Sequence, residues 1–167
     1  NNLAVICVCA IYNIETEIVI KSLKTFSLNN GRLEELNIKD CPTLINLAKN
    51  PTGANVSLRI LNEDDLEKDL LFLLNDNLAG GFDVSWIWDI NFNDLKNVNR
   101  IITSGTRAYD IAIRIKTAGF DSKKIYPFIN LDEAVKKLYE TKNKKYVIAN
   151  YTALQPTRKE IINYSKK

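Results

Sequence analysis

Hydrophobic positions change their spacing along this chain. Over "NNLAVICVCAIYNIETEIVIKSLKTF" they recur at helical intervals in two segments interrupted near Tyr12 and Asn13, and Glu15 and Glu17 favour a second helix start. A helical hairpin is predicted there. "LNNGRLEELNIK" then supplies an Asn-Asn-Gly turn and a short alternating strand over 33–38, followed by "DCP" as a break and a domain boundary near Lys39. Beyond it, short apolar runs alternate with amphipathic stretches. Strands are predicted at "TLINLA", "DLLFLLN", "RIITSG", "KIYPFI" and "KKYVIAN". Helices are predicted over 51–61, at "TRAYDIAIRIKTAG" closed by Gly119, at "LDEAVKKLYETK" and at "PTRKEIINYSK", with a short one near Trp86. The run at 70–74 has no polar position, which predicts a strand buried on both faces. Strands separated by helices imply right-handed crossovers and a mostly parallel sheet flanked by helices, an α/β fold. The chain divides into residues 1–39, largely helical, and 40–167, α/β.

Ligands of open α/β sheets bind beyond the carboxyl ends of the strands, so the segments that follow the apolar runs are the candidates for chemistry. "NDNLAGGFDVSWIWD", residues 75–89, places a Gly pair and two tryptophans around one acid, Asp83. That acid is either a cap for the short helix "SWIW" or a functional carboxylate, and Trp86 and Trp88 either close the core or line a contact. "TSGTRAYD", residues 103–110, leads a strand through Ser-Gly-Thr into a helix, where Thr106 can cap and Arg107, with the free N–H groups of the helix start, suits an anion. No GxxxxGK[ST] phosphate loop occurs in the chain. In "LAKNPTG", Asn50 suits a helix cap and Pro51 the first helical position, which leaves Lys49 for a phosphate, a carboxylate or solvent.

Composition narrows the classes. With 46% hydrophobic residues among 167, the chain can bury an ordinary core. Its 23 basic and 20 acidic residues are interspersed, and the net charge of +3 without a basic stripe argues against a nucleic-acid surface. The lysines of "YETKNKKYV", Lys142, Lys144 and Lys145, read as a solvated turn. Cys7, Cys9 and Cys41 are odd in number and lack CxxC spacing, which supports neither a disulfide framework nor a zinc site and fits a reducing cytosol. "LAVICVCAIY" is too short for a membrane span of about 20 residues and predicts a core helix. The sequence starts at Asn1 without a signal peptide and reads as a portion of a longer protein. Histidine is absent, so a nucleophilic Ser or Cys would lack its usual base, and standalone hydrolase chemistry is disfavoured.

Taken together, "AKNPTGAN", "LNDNLAGGFDVSWIWD", "SGTRAYD" and "ANYTAL" resemble the carboxyl-terminal domain of the Mur-ligase-type subunit of lipid II isoglutaminyl synthase. The resemblance extends over nearly the whole chain. It implies a Rossmann-like Mur ligase C-terminal domain over 40–167 that docks a glutaminase subunit, preceded over 1–39 by a helical remnant of the ATP-binding central domain. It implies a cytoplasmic enzyme that uses ATP and glutamine to amidate the D-glutamate of the peptidoglycan stem peptide in lipid II. In that family the glutaminase subunit supplies a Cys nucleophile and a His base, and the position matching Asp83 supplies the third triad acid. Asn1 and Arg32 match nucleotide-contacting positions, while Lys49, Asn50, Thr106 and Arg107 are the candidates for substrate contact. ATP and Mg are expected of the full-length enzyme and no cofactor of this chain alone, because the phosphate loop and zinc-ribbon cysteines of the central domain are missing from it. The chain alone is expected to be inactive. Two other readings stay open: a noncatalytic α/β module that binds a small anion at the "TSGTR" helix end, and the tail of another Mur-type or polyglutamate-type ligase.

Overall fold

The structure, a computed structural model, describes residues 2–26, 30–80 and 82–166. The apolar run from Leu70, with Lys68 and Asp69 before it, forms β3 (Lys68–Leu73), buried at every position because it lies between two other strands and under helices on both faces. Around it are β1 (Glu34–Ile38), β2 (Cys41–Leu47), β4 (Val98–Ser104), β5 (Ile125–Phe128) and β6 (Lys144–Ala149). They form one six-stranded sheet in the order β1-β2-β6-β3-β4-β5, parallel except for the antiparallel pair β1–β2. The helices are α1 (Asn2–Ile11), α2 (Thr16–Thr25), α3 (Pro51–Asn62), α4 (Ala108–Thr117), α5 (Leu131–Leu138) and α6 (Tyr151–Lys166).

Side chains alternate across a strand, so each central strand feeds two cores. Leu70, Phe72 and Leu74 pack with Ala54, Leu58 and Leu61 of α3 and Ile111 and Ile115 of α4. Leu71 and Leu73 pack on the opposite face with Ala134, Val135 and Leu138 of α5 and Ala153, Leu154 and Ile161 of α6. Between β3 and β4 the described residues make no α-helix. Three 3₁₀ turns, Leu78–Gly80, Ser85–Asp89 and Phe92–Asp94, replace it, and Ile87, Ile90 and Phe92 fill the α3/α4 core. Side-chain amides of α3 hold this segment: Asn55 donates to the Asp89 carbonyl (3.2 Å) and accepts from the Asn91 N–H (2.8 Å), and Asn62 does the same for Asp94 (2.9 Å) and Lys96 (2.9 Å).

The structure departs from the sequence expectations in four places. "DCP" is not a break: Lys39 and Asp40, both at positive φ (50° and 65°), make a two-residue hairpin that pairs Ile38 with Cys41. Pro42 is tolerated because β6 pairs with β2 only from Thr43 onward. Lys39, the expected boundary, therefore lies in the turn between two strands of one sheet. The α1 segment is helical as its spacing predicts, but it is not a core helix; none of its residues is buried, and Leu3 and Ile11 are 79% and 75% exposed. Its apolar positions encircle the helix, and the described residues place no packing surface against them. The lysine run is a solvated segment only at Lys142; Lys144 and Lys145 belong to β6. Lys145 is fully buried at the amino edge of the sheet, its Nζ 2.7 Å from the buried Asp69, whose carboxylate also accepts from Arg100 (3.0 Å) and Thr141. Lys144 pairs with Asp64 at 2.7 Å. Finally, α6 starts five residues before Pro156, at Tyr151, because the Asn150 carbonyl at the end of β6 accepts from Ala153 (3.1 Å) and Leu154 (3.0 Å) and turns the chain straight into a helix.

Candidate functional site at the carboxyl edge of the sheet

Register brings the candidate residues together. Leu47 and Leu73 are both level with Ala149, Leu73 is level with Ser104, and Ser104 with Phe128, so the segments after five parallel strands emerge along one edge. Lys49 and Asn50 follow β2, Asn150 follows β6, the loop to Asp83 follows β3, and Thr106 and Arg107 follow β4. Since β1 runs antiparallel and begins opposite Ile45, Arg32 enters at that edge as well.

The loop after β3 is tied down at its start. The Asn75 N–H donates to Asn150 Oδ1 (3.2 Å), and the Asn75 carbonyl accepts from Asn150 Nδ2 (2.7 Å). Asn150 is buried, so this amide reproduces a strand-like pairing between the exits of β3 and β6. Asn75 Oδ1 accepts from the Thr106 N–H (3.0 Å). The Asp76 N–H donates to Thr106 Oγ1 (3.1 Å), and that hydroxyl donates back to Asp76 Oδ1 (2.7 Å). Arg107 Nε completes the corner at 2.8 Å from Asp76 Oδ2, with Asp110 3.5 Å from its Nη1. Thr106 and Arg107 hold the Asp76 carboxyl below the usual carboxylate range. Gly105 makes the close approach possible: its φ is +96°, and a Cβ there would be driven into the Leu74 carbonyl oxygen.

From there the chain is exposed at Asn77, Leu78, Ala79, Phe82 and Asp83 until Ile87 returns it to the core. The Ser85 hydroxyl and N–H, the latter 2.8 Å from Asp83 Oδ1, hold the Asp83 carboxyl below the usual carboxylate range. Asp83 is therefore a solvent-facing anion at neutral pH that also braces the turn Ser85–Asp89. Beyond it Trp86 is half-buried against the core, whereas Trp88 is 55% exposed with the Arg114 guanidinium 5.8 Å from its ring. Arg114 also donates to the Ile90 carbonyl (2.6 Å), fixing this far end of the loop to α4. A hollow of about 200 Å³ opens between Val84, Ser85, Trp88, Asp110 and Ile113.

The other expected residues fall as follows. Asn50 caps α3, its Oδ1 accepting from the Gly53 N–H (2.8 Å), and Pro51 opens the helix. Lys49 and Arg32 are exposed at the edge. Asn1 lies outside the described residues. Thr106 does not cap α4; the capping position is Arg107, without a side-chain cap bond, and the Thr106 hydroxyl serves Asp76 instead. The N–H groups of Thr106 and Arg107, which an anion at this helix start would use, are taken by Asn75 Oδ1 and the Leu74 carbonyl (3.1 Å). Asn75, Asp76 and Asn150 are not among the expected site residues. Their signal is position: each is the first or second polar residue after the apolar run that ends a strand, 70–74 for Asn75 and Asp76 and 146–149 for Asn150. Among the described residues no group of three or more His, Cys, Asp or Glu side chains could hold a metal ion, and no helix is long and apolar enough to cross a membrane.

This architecture recurs in known proteins. The fold is shared with UDP-N-acetylmuramate-alanine ligase MurC of Thermotoga maritima, with a TM-score of 0.71 at 14% identity over 99% of this chain and 36% of that one. MurF of Acinetobacter baumannii aligns with a TM-score of 0.65 at 15% identity, again over 99% of this chain and 36% of that one. In sequence, the lipid II isoglutaminyl synthase (glutamine-hydrolyzing) subunit MurT of Staphylococcus aureus (strain COL) is 32% identical over 166 residues, 96% of this chain and 37% of that protein. The MurT subunit of Streptococcus pneumoniae (strain ATCC BAA-255 / R6) is 29% identical over 157 residues, 92% of this chain and 35% of its own length. The chain thus spans little more than a third of the length of these relatives. The MurT ligase C-terminal family profile matches residues 47–154, which include both sides of the clamped corner and the whole Asp83 loop. The chain belongs to the MurT ligase C-terminal family.

Proposed function

We propose that this chain is the C-terminal part of the ligase-like subunit of a glutamine-hydrolysing enzyme that amidates the D-glutamate of lipid II, and that Asp83 is the acid it lends to a partner glutaminase. The observation that carries this reading is an anionic, exposed Asp83 on a loop anchored at both ends, in a chain that has no histidine of its own. A triad acid acts by holding an imidazole in the tautomer that accepts the nucleophile's proton and by stabilising the imidazolium that results. Here the imidazole belongs to the partner. The partner's thiolate adds to the glutamine carboxamide carbon, the C–N bond breaks as the imidazolium protonates the leaving nitrogen, and water then hydrolyses the thioester to glutamate. The ammonia released is consumed at the activated acceptor carboxylate.

The surface beside Asp83 supports a docked protein. Phe82, Trp88 and Ile113 are 66%, 55% and 54% exposed, and Trp88 and Ile113 border the hollow next to the loop. Aromatic side chains around a shallow pocket are the groups that anchor protein interfaces. We assign Lys49, at the exit of β2, to the anionic acceptor, with Asn50 setting its position through the α3 cap. Thr106 and Arg107 are left out of that assignment because Asn75, Asp76 and Asp110 already engage them. ATP and Mg are assigned to the remainder of the full-length protein, with Arg32 and Asn1 bordering the nucleotide. The all-round apolar α1 is the surface we assign to contact with the rest of the central domain.

Asp83→Asn in the assembled two-subunit enzyme tests the reading. Glutamine hydrolysis is expected to fall by up to about 10⁴-fold, since an amide cannot balance the imidazolium. Subunit association and amidation driven by an ammonium salt are expected to persist. Glutamine hydrolysis near wild type would reduce Asp83 to the brace of its turn. Loss of both activities with association intact would move it to the ligation step.

A further inference from the structure

We propose that the corner made by Asn75, Asp76, Thr106, Arg107 and Asn150 is the positioning device for Asp83, and that Thr106 and Asp76 are positioning residues for glutamine hydrolysis; the proposal rests on the reading of Asp83 as the partner's triad acid. A triad carboxylate works only when held within about half an ångström of its place, and a displacement of about 1 Å costs on the order of 10²-fold. Among the described residues the Asp83 carboxylate is bonded only by Ser85, two residues on. Its place is therefore set by the ends of the loop and by the Leu78–Gly80 turn, which lies against α6. The far end is fixed by burial of Ile87 and Ile90 and by the Arg114 bond to the Ile90 carbonyl. The near end leaves the core at the buried Leu74 and is held beyond it by polar contacts: Asn150 pairs the Asn75 backbone, and the Thr106 hydroxyl accepts from the Asp76 N–H while donating to its carboxylate. Arg107 then locks that carboxylate from its other oxygen at 2.8 Å.

The geometry distinguishes this role from two alternatives. A helix cap would place the Thr106 hydroxyl over the first N–H groups of α4, and it is not there. A substrate-binding arginine would keep its guanidinium for the ligand, whereas Arg107 is shared between Asp76 and Asp110. The corner also joins the exits of three adjacent strands, β6, β3 and β4, each hydrogen-bonded to a neighbour on both sides. A loop launched from them inherits their rigidity. Thr106 and Asp76 are themselves near the surface, so their bonds add little to overall stability, and their substitution loosens the loop without unfolding the domain.

The test uses the assembled two-subunit enzyme with glutamine or ammonium chloride as nitrogen donor. Thr106→Val removes the hydroxyl and keeps the shape; kcat for glutamine hydrolysis is expected to fall about 10- to 100-fold with KM for glutamine nearly unchanged, since glutamine sits in the partner. Asp76→Asn, which cancels the Arg107 ion pair, should lower kcat in the same way. Thr106→Ser, which retains the hydroxyl, should restore glutamine hydrolysis. Ammonium-driven amidation and subunit association should match the wild type throughout, and amide exchange at residues 77–79, 82 and 83 should accelerate in Thr106→Val. If Asp83→Asn abolishes glutamine hydrolysis while Thr106→Val and Asp76→Asn leave it at the wild-type rate, the positioning role is wrong and the triad reading stands. If Asp83→Asn has no effect, the triad reading fails first. A parallel fall in ammonium-driven amidation would place the corner on the acceptor side and overturn the proposal.

Discussion

Gly105 shows how one residue controls the site from the backbone. Its positive φ and its contact with the Leu74 carbonyl oxygen allow the β4 exit to lie against the β3 exit, so that the Arg107 N–H reaches that same carbonyl. Any side chain there must either strain the left-handed backbone or push the two exits apart. Gly105→Ala is expected to destabilise the domain by about 2–4 kcal/mol, measured by urea denaturation, with the far-UV spectrum of the native state retained. A loss under about 0.5 kcal/mol would mean that the exits can separate freely. Asp83 is the opposite kind of residue, exposed and, among the described residues, braced only by Ser85, so its substitution belongs to function and not to stability.

Among the elements, α1 and β3 are the extremes. Both carry an unbroken apolar run, yet β3 is buried throughout and α1 has no buried residue. Ten residues are fewer than the roughly 12–15 an isolated helix needs to be even marginally stable in water. Amides over 3–11 are therefore expected to exchange with solvent within seconds in this chain, while those of β3 and β6 are among the slowest. In the full-length protein the same amides should become protected, as expected if the rest of the central domain covers α1. Equal protection of α1 and β3 in this chain alone would contradict its exposure. The 3₁₀ connection between β3 and β4 is stabilised differently, by the amides of Asn55 and Asn62 and by the burial of Ile87, Ile90 and Phe92.

Across the molecule as a whole, most of the buried charge, Lys68, Asp69, Arg100 and Lys145, gathers at the amino edge of the sheet, while the carboxyl edge holds the open chemistry and the buried acid Glu34, paired with Arg158 at 2.8 Å. Burial pushes the Asp69 carboxyl up, but Arg100, Lys145 and Thr141 outweigh it and hold it below the carboxylate range. For Asp64, burial is likewise outweighed by Lys144, the Leu66 N–H and the Tyr146 hydroxyl, which lower it from 3.8 to about 2. In the unfolded chain both acids take up protons near pH 4, whereas the folded Asp64 stays ionised down to about pH 2. Unfolding therefore binds protons in that window, and stability is full above about pH 5 and falls as pH drops from about 4 to 2. Denaturant midpoints at pH 6, 4, 3 and 2.5 should decline accordingly, and Asp64→Asn should flatten the decline. A constant midpoint across those about four pH values would show that these carboxylates titrate alike in both states.

What the sequence determined by itself is local. Run length and period distinguish the strands from the helices, Asn50 and Pro51 mark the start of α3, and the unbroken apolar run at 70–74 announces a strand buried on both faces, because these properties depend on residues a few positions apart. The Asp83 loop was legible too, as a polar, glycine-bearing segment following that run. Strand order was not: β6 enters between β2 and β3, and β1 joins the sheet by a hairpin, through pairings between distant parts of the chain. Those pairings turn the lysine run of "KNKKY" into a buried partner of Asp69, join Asn150 to Asn75, and leave α1 uncovered. Only the tertiary structure could decide them, because a charge or amide is buried or exposed according to which strand arrives beside it, and that neighbour lies tens of residues away.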